Sequence, residues 1–253
     1  MPADSDLNII NHKETARGDY TRVLAFLRDQ LLTGKIKTGD KLLPERDLSA
    51  LLNVSRPVLR EALRALAMIG AVEVRHGAGT YVTTPDASSL SDFFSFVLVQ
   101  HGEQFDDILE ARIAIEHHAI RLACARATQS DYDNMSRILD RIHDTIEDAQ
   151  QGADADFAFH TAIVTAARSP ALSTIYGALS RFLTDLHFVR RQRILQVTGI
   201  RSYLIDHHAS LLDAIVRRDP AAADRLLAEH FQIGADFNRR AVLSQIKRPS
   251  SPT

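Results

Sequence analysis

The sequence predicts a mainly α-helical protein, in which an N-terminal winged helix-turn-helix is followed by an all-helical antiparallel bundle of six or seven helices. Near the N-terminus, three short helical patterns precede two alternating stretches, which is the element order of a winged helix. Beyond residue 89, apolar residues keep helical spacing without a convincing strand or an internal repeat. These observations favour a small winged domain and a larger helical one.

The expected domain limits follow from breaks in these patterns. We expect the winged helix-turn-helix over residues 19–83, a linker over residues 84–89 and the bundle over residues 90–244. The polar segments 1–18 and 245–253 are expected to be disordered.

Composition limits the class of protein. With 253 residues, of which 45% are hydrophobic, the chain can bury two cores. Lys and Arg number 30 against 32 Asp and Glu, so any contact with nucleic acid must come from a local basic patch. The single cysteine, Cys124, excludes an internal disulfide and a thiolate-rich zinc site. With no long apolar run and a polar N-terminus, we expect no membrane span, no signal peptide and a cytoplasmic location.

Turn and cap residues divide the first domain into three helices. The first helix ends near Gly34, and the second begins around Pro44. Ser55 is a suitable N-cap for the third helix, and Pro57 lies in its first turn, where a missing N–H is harmless. The third helix is expected to reach about Ile69.

The third helix carries arginines on one face and apolar residues on another. Arg56, Arg60 and Arg64 recur at every fourth residue. The apolar stripe consists of Leu59, Ala62, Leu66 and Ile69. Such a helix can present Arg56 and Arg60 to base edges in a major groove and Arg64 to a phosphate. From this feature alone, an ordinary amphipathic helix with a solvated arginine face is an equal alternative.

A predicted hairpin shifts the balance towards DNA binding. Residues 71–75 and 80–83 alternate in polarity on either side of a turn at 76–79. His76 and Gly77 lie at the tip of this hairpin, from which they could reach the minor groove or the DNA backbone.

These residues resemble the N-terminal domain of the GntR family of bacterial transcription regulators. The resemblance lies in Leu42–Leu48, Val54–Leu63, Leu66, Gly70 and His76–Val82. It implies DNA contacts from Arg46, Ser55, Arg56, Arg60, His76 and Gly77. Leu43 and the Pro57-Val58 pair depart from the family pattern beside contact positions, and this leaves the operator sequence open.

In the second domain, four side chains have spacings that bring metal ligands together. Asp156 and His160 are four residues apart and therefore share one helix face. His208 and His230 flank a helix break at residues 219–220, each about 16 Å from it along a helix at 1.5 Å per residue. In an antiparallel helical hairpin the two histidines would stand level with each other.

One carboxylate and three imidazoles suit zinc, with nickel, iron or manganese as alternatives, rather than calcium. Four protein ligands would leave positions free for water or a small anion. The alternative is that each histidine is a separately satisfied polar residue, which is the more common role for any one of them.

The second domain resembles the all-helical effector domain of the FadR subfamily, the type called FCD. The resemblance lies in Glu110–Glu116, Asp156–His160, His208 with Ala214-Ile215 and Asp219, and Ala221–Ala223 with His230. It implies that Asp156, His160, His208 and His230 hold a divalent metal and that a small carboxylate effector binds beside it. Arg112 occupies the place of an arginine that helps to hold the carboxylate, although an ion pair with Glu116 is an alternative role. Ser169 stands where many relatives have asparagine.

A metal pocket joined to a DNA-reading domain predicts a ligand-responsive transcription regulator rather than an enzyme. A homodimer on a palindromic operator is expected because a single winged helix makes few phosphate contacts. Repression relieved by the effector is the expected outcome. One alternative is a metal-dependent hydrolase with an appended DNA-binding domain, although no general base stands out near the ligands. The other is a dimeric DNA-binding module without an effector.

Overall fold

A computed structural model describes residues 4–85, 87–99, 104–195 and 200–246. The chain divides into two compact units, Met1–Leu90 and Ser91–Thr253. The division falls beside the linker predicted over residues 84–89.

The first unit has the predicted order of three helices and a hairpin. It consists of α1 (Asp4–Leu32), α2 (Glu45–Leu52), α3 (Arg56–Met68), β1 (Val72–Arg75), β2 (Gly79–Val82) and a 3₁₀ turn (Ala87–Leu90). Helix α1 begins at Asp4 and therefore includes most of the segment predicted to be disordered. No proline stands between residues 3 and 43 to stop this helix.

Local sequence explains the turn between α2 and α3. Asn53 ends α2 in the left-handed conformation at φ 50°, which asparagine tolerates better than most residues. The Ser55 hydroxyl then accepts the Val58 N–H at 3.4 Å, as expected of an N-cap. Helix α3 ends at Met68, so Ile69 lies beyond its last turn and is 43% exposed, whereas the sequence pattern had placed it on the apolar stripe. The core of this unit is Val23, Leu27, Leu48, Leu52, Leu59, Leu63, Leu66, Val72 and Val82.

Strands β1 and β2 pair antiparallel, with Val72 opposite Val82 and Arg75 opposite Gly79. Gly77 has φ +70°, a conformation that glycine adopts without strain, and it forms the exposed tip. The Arg75 guanidinium on β1 lies 4.2 Å from the centre of the Tyr81 ring on β2, a cation–π contact between the two strands.

The second unit is entirely helical in its described residues. Its helices are α4 (Ser91–Val99), α5 (Gln104–Arg126), α6 (Gln129–Asp144), α7 (Ala149–Ala166), α8 (Pro170–Ala178), α9 (Ser180–Ile194), α10 (Ile200–Val216) and α11 (Pro220–Ile246). These are eight helices, where six or seven were expected. The difference arises at Leu179, which separates α8 from α9 because its N–H bonds the carbonyl of Tyr176 instead of continuing an α-helical ladder.

Helix α11 includes residues 245 and 246, and the rest of the predicted C-terminal tail, residues 247–253, lies outside the described residues.

Helices α10 and α11 form the antiparallel hairpin that the sequence predicted. Asp219 ends the turn and caps α11, since its Oδ1 accepts the Ala222 N–H at 2.9 Å. The core around the hairpin includes Phe159, Ile163, Leu211, Ile215 and Leu227. No helix among the described residues is both long and apolar enough to cross a membrane.

Candidate metal centre

The structure brings the four predicted ligands together inside the second unit. Asp156 and His160 lie one turn apart on α7, His208 lies on α10 and His230 on α11. One ligand atom from each of these residues lies within 4.8 Å of the others. The rings of His208 and His230 have centroids 4.7 Å apart, so the two histidines do stand level across the helical hairpin.

Hydrogen bonds fix which nitrogens of His160 and His208 are free. His160 Nδ1 lies 2.5 Å from Glu116 Oε2, and His208 Nδ1 lies 2.5 Å from the Leu204 carbonyl oxygen. Because both partners are acceptors, each Nδ1 carries the proton and each Nε2 keeps a lone pair. Both Nε2 atoms, and Nδ1 of His230, are buried without a hydrogen-bond partner. Buried nitrogens left unsatisfied in this way fit the ligands of a metal ion.

The contact between His208 and Asp156 points to the same conclusion. His208 Nε2 lies 2.9 Å from Asp156 Oδ1. When Nδ1 bears the ring proton, these two atoms are both acceptors and repel each other unless a cation lies near them. One carboxylate oxygen and three imidazole nitrogens are a donor set for a divalent transition metal, and the residues present therefore fit such an ion.

The protonation states also suit metal binding. Burial would raise the pKa of Asp156, but its contact with His187 outweighs burial and holds that pKa well below its ordinary value. Burial, together with the neighbouring His208 and His160, holds the pKa of His230 well below its ordinary value. A metal needs a deprotonated carboxylate and neutral imidazoles, and this is the state that these shifts favour.

His187 on α9 is a member of the site that sequence reasoning missed. Its Nδ1 lies 2.5 Å from Asp156 Oδ2, the second oxygen of the predicted ligand, so it fixes the orientation of that carboxylate. Its Nε2 is buried without a hydrogen-bond partner. No spacing in the sequence connects His187 to the other histidines, because only the packing of α9 on α7 brings it close.

Glu116 joins the metal ligands to the predicted effector residue. Its Oε1 accepts hydrogen bonds from Arg112 Nε and from the Tyr176 hydroxyl, both at 2.6 Å, while Oε2 faces His160. Burial would raise the pKa of Glu116, but the charge of Arg112 and the hydrogen bond from His160 outweigh burial and hold that pKa far below its ordinary value. Glu116 is therefore an anion that accepts hydrogen bonds from three neighbours at once.

Of the two roles considered for Arg112 from the sequence, the structure shows the ion pair with Glu116. This ion pair has an N–O distance of 2.6 Å, and it is almost completely buried. One terminal nitrogen, Nη2, is nevertheless buried without a hydrogen-bond partner. Arg112 also lines a cavity of about 50 Å³ next to the cluster. The cavity is further lined by Asp156, His187, Arg191, Tyr203 and His230.

The predicted DNA-contact residues lie at three places in the first unit. Arg46 stands in the first turn of α2, Ser55 and Arg56 begin α3, and His76 and Gly77 form the hairpin tip. All five are exposed or partly exposed, and the Arg46 side chain is 81% exposed.

Arg60, the sixth predicted contact, is held by an ion pair. Its Nε lies 2.7 Å from Glu45 Oε2, and its side chain remains 55% exposed. An exposed pair of this kind contributes little stability, so a phosphate or a base could replace Glu45 at small cost.

Comparisons with known proteins agree with this architecture. Residues 107–233, half of the chain, match the family described as FCD domain, and residues 19–82 match "Bacterial regulatory proteins, gntR family". The HTH-type transcriptional repressor NanR of Citrobacter rodentium is 30% identical over 225 residues, which cover 87% of this chain and 86% of that protein. The HTH-type transcriptional regulator LutR of Bacillus subtilis is 29% identical over 198 residues, 78% of this chain and 90% of that protein.

Among solved structures, that of Streptococcus agalactiae GntR superimposes with a TM-score of 0.66 and 21% identity, covering 88% of this chain and 99% of that chain. This likeness concerns the fold, and it agrees with the predicted winged helix and helical bundle. The matched families and relatives are transcription regulators rather than enzymes. The chain belongs to the GntR family of bacterial transcription regulators and carries an FCD domain.

Proposed function

We propose that this protein is a repressor whose helical domain binds a divalent metal and a small carboxylate effector. Zinc is the preferred metal in this proposal, and binding of the effector makes the protein dissociate from its operator. The observation that carries the proposal is the group of buried, unsatisfied ring nitrogens around Asp156. The unpartnered Nη2 of Arg112 on the adjoining cavity supports a carboxylate as the effector.

The metal would be held by Asp156, His160, His208 and His230. A bound cation supplies positive charge that can attract an anion into the cavity. Arg112 would orient the carboxylate through its free nitrogen while Glu116 keeps its guanidinium in place. His187 would hold the second oxygen of Asp156 away from the effector.

The operator would be read by the first unit. Arg56 and Arg60 would approach base edges from the start of α3, with Arg46, Ser55, His76 and Gly77 against the backbone and the minor groove. A homodimer would double the phosphate contacts and read a palindrome. Effector binding can weaken operator binding only if the effector has different affinities for the two states, and a coupling of about 1–3 kcal/mol would make a useful switch.

The alternatives make different predictions. A metal-dependent hydrolase is disfavoured because the matched families and relatives are transcription regulators. A dimeric DNA-binding module without an effector gives no reason for the four candidate metal ligands to lie together. Metal analysis separates that module from the sensor, since only the sensor retains stoichiometric metal through purification.

The test begins with selection of an operator from random DNA, followed by fluorescence anisotropy of the selected duplex. Protein with zinc, protein treated with a chelator, and zinc-loaded protein with a panel of small carboxylates would be compared. We expect zinc-loaded protein to bind the operator and at least one acid to weaken binding about fivefold or more. His208→Ala should abolish the response to the acid, whereas His143→Ala, at an exposed position on α6, should preserve it. Operator binding that never changes with metal or acid would refute the proposed regulation.

A further inference from the structure

A second arginine of the cavity, Arg191 on α9, is buried without a counter-charge. It is only 3% exposed, and the described part of the chain offers it no ion-pair partner. Its Nη2 donates a hydrogen bond to the Ile146 carbonyl at 3.1 Å, but its Nε is buried without a partner. Glu147 directly follows Ile146 in the sequence, but its carboxylate is already paired with Arg201.

A buried cation without an anion is costly, so a side chain of this kind needs a reason to persist. Burial also lowers the pKa of Arg191, while the charges of Asp156 and Glu147 oppose this only in part. Asp156 is itself paired with His187 and is a predicted metal ligand. The missing counter-charge therefore has to come from outside the described chain.

Helix α7 has a glycine at the position where the Arg191 guanidinium packs against it. A Cβ atom on Gly152 of α7 would lie 2.7 Å from Arg191 Nη2 and 2.9 Å from the Thr145 carbonyl oxygen. Glycine within a helix is less favourable than alanine. Gly152 thus costs the helix some stability. A side chain at this position would collide with the Arg191 guanidinium and push it out of the cavity wall.

A count of charges around the cavity indicates how many anionic groups it would take. A divalent ion on Asp156 and three neutral imidazoles leaves one positive charge at the metal centre. Arg112 and Glu116 cancel each other. Arg191 adds a second positive charge, and Arg190 also lines the cavity, so at least two positive charges are available there to attract anionic groups.

We propose that the cavity binds a short dicarboxylate, with one carboxylate against the metal centre and Arg112 and the other on Arg191. This inference rests on the proposed function, because it specifies the effector of the same site. The small volume of the cavity, about 50 Å³, favours a short acid over a long one. A charge-assisted hydrogen bond from a guanidinium to the second carboxylate is what distinguishes the dianion from a monoanion of equal length.

Succinate and butyrate test the proposal, since both have four carbons and differ by one terminal carboxylate. Their binding to the zinc-loaded full-length protein would be measured by titration calorimetry. We expect succinate to bind at least about tenfold more tightly than butyrate. Arg191→Met should remove this preference and leave butyrate binding unchanged. Arg141→Met, which removes an exposed arginine from α6, should alter neither affinity.

The melting temperature of ligand-free protein provides a readout that does not depend on effector binding. If Arg191 serves a ligand, Arg191→Met should melt at the same temperature as the wild type or higher, because it deletes an unpaired buried cation. A clear fall in melting temperature would show that Arg191 supports the fold and would overturn the proposal.

The other outcomes separate this proposal from the proposed function. If both acids bind equally well to the wild type, or if Arg191→Met weakens both alike, the second anion site is wrong while carboxylate sensing stands. If neither these acids nor any other carboxylate binds the zinc-loaded protein, the carboxylate effector is lost and the dicarboxylate with it.

Discussion

Glu116→Gln tests whether one buried carboxylate supports both the metal ligands and Arg112. Glu116 accepts hydrogen bonds from Arg112 and Tyr176 on one oxygen and faces His160 Nδ1 with the other. Glutamine has nearly the same shape but offers one oxygen and one NH₂ group. Whichever way the amide is turned, a donor meets a donor on one side, and the charge that compensated Arg112 is gone.

The expected cost follows from the burial of this network. Removing one partner of a buried ion pair costs about 3–5 kcal/mol. A drop of roughly 10 °C in melting temperature should accompany it, at about 2–4 °C per kcal/mol for a domain of this size. His160 could relieve the clash by moving its proton from Nδ1 to Nε2, but Nε2 would then be unable to bind a metal. Zinc affinity should therefore fall about 10- to 100-fold as well.

Urea unfolding and competition for zinc with a chromophoric chelator measure the two effects. The control is Glu110→Gln, the same substitution at an exposed position on the same helix, α5, and it should be neutral in both assays. If Glu116→Gln unfolded within about 1 kcal/mol of Glu110→Gln and bound zinc as tightly as the wild type, the reasoning about this network would be refuted.

Removing the metal with a chelator should lower the melting temperature in calorimetry, and free zinc at about a thousand times its Kd should restore about 4 kcal/mol, whereas a trace that neither treatment moves would contradict a metal site. Arg56→Ala should weaken binding to the selected operator by about 1–3 kcal/mol in anisotropy, while Arg141→Ala should not, and equal affinities would exclude Arg56 as a base contact. Asp131→Asn should cost about 1 kcal/mol at pH 7, because Asp131 accepts the Thr128 N–H at 2.8 Å and pairs with Arg168 at 2.6 Å. Burial would raise the pKa of Asp131, but these contacts outweigh it and lower that pKa. The stabilisation is thus complete above the ordinary carboxyl pKa and is lost as the pH falls through the lowered value, so a cost in urea titrations that persisted unchanged near pH 2 would oppose this assignment.

The sequence could predict those parts of the molecule that depend on local rules. The capping of α3 by Ser55 depends on neighbours within three residues, and the wing depends on alternation around a glycine turn. His208 and His230 lie at the same height in the helical hairpin because they are about equally far from one helix break and the rise per residue is constant. The comparisons confirm the predicted family and fold class, while the metal, the effector and the dimer stay predictions.

Residues that join the site through packing alone could not be predicted in this way. His187 and Arg191 lie on α9, whose start at Ser180 depends on a break at Leu179, two residues after Gly177, that the sequence analysis did not identify. Their distance from Asp156 is set by the packing of α9 against α7 and not by spacing along the chain. From the sequence, Gly152 is only a residue that weakens a helix. Its role in leaving space for Arg191 follows from the packing of α9 against α7.

Glu116 shows how a local rule can be correct and still incomplete. The i,i+4 spacing predicts its ion pair with Arg112, and the pair is present. Only the packing of α5 against α7 adds the contact with His160, forty-four residues away. On the proposed function, this contact places a metal ligand and an effector residue on the two oxygens of one carboxylate. Metal binding would then strengthen the hydrogen bond between His160 and Glu116. Because Glu116 also holds Arg112, the guanidinium would be fixed in place for the anion at the same time. By thermodynamic reciprocity, the anion must then tighten the metal by the same factor, so zinc competition with and without the acid measures the coupling directly.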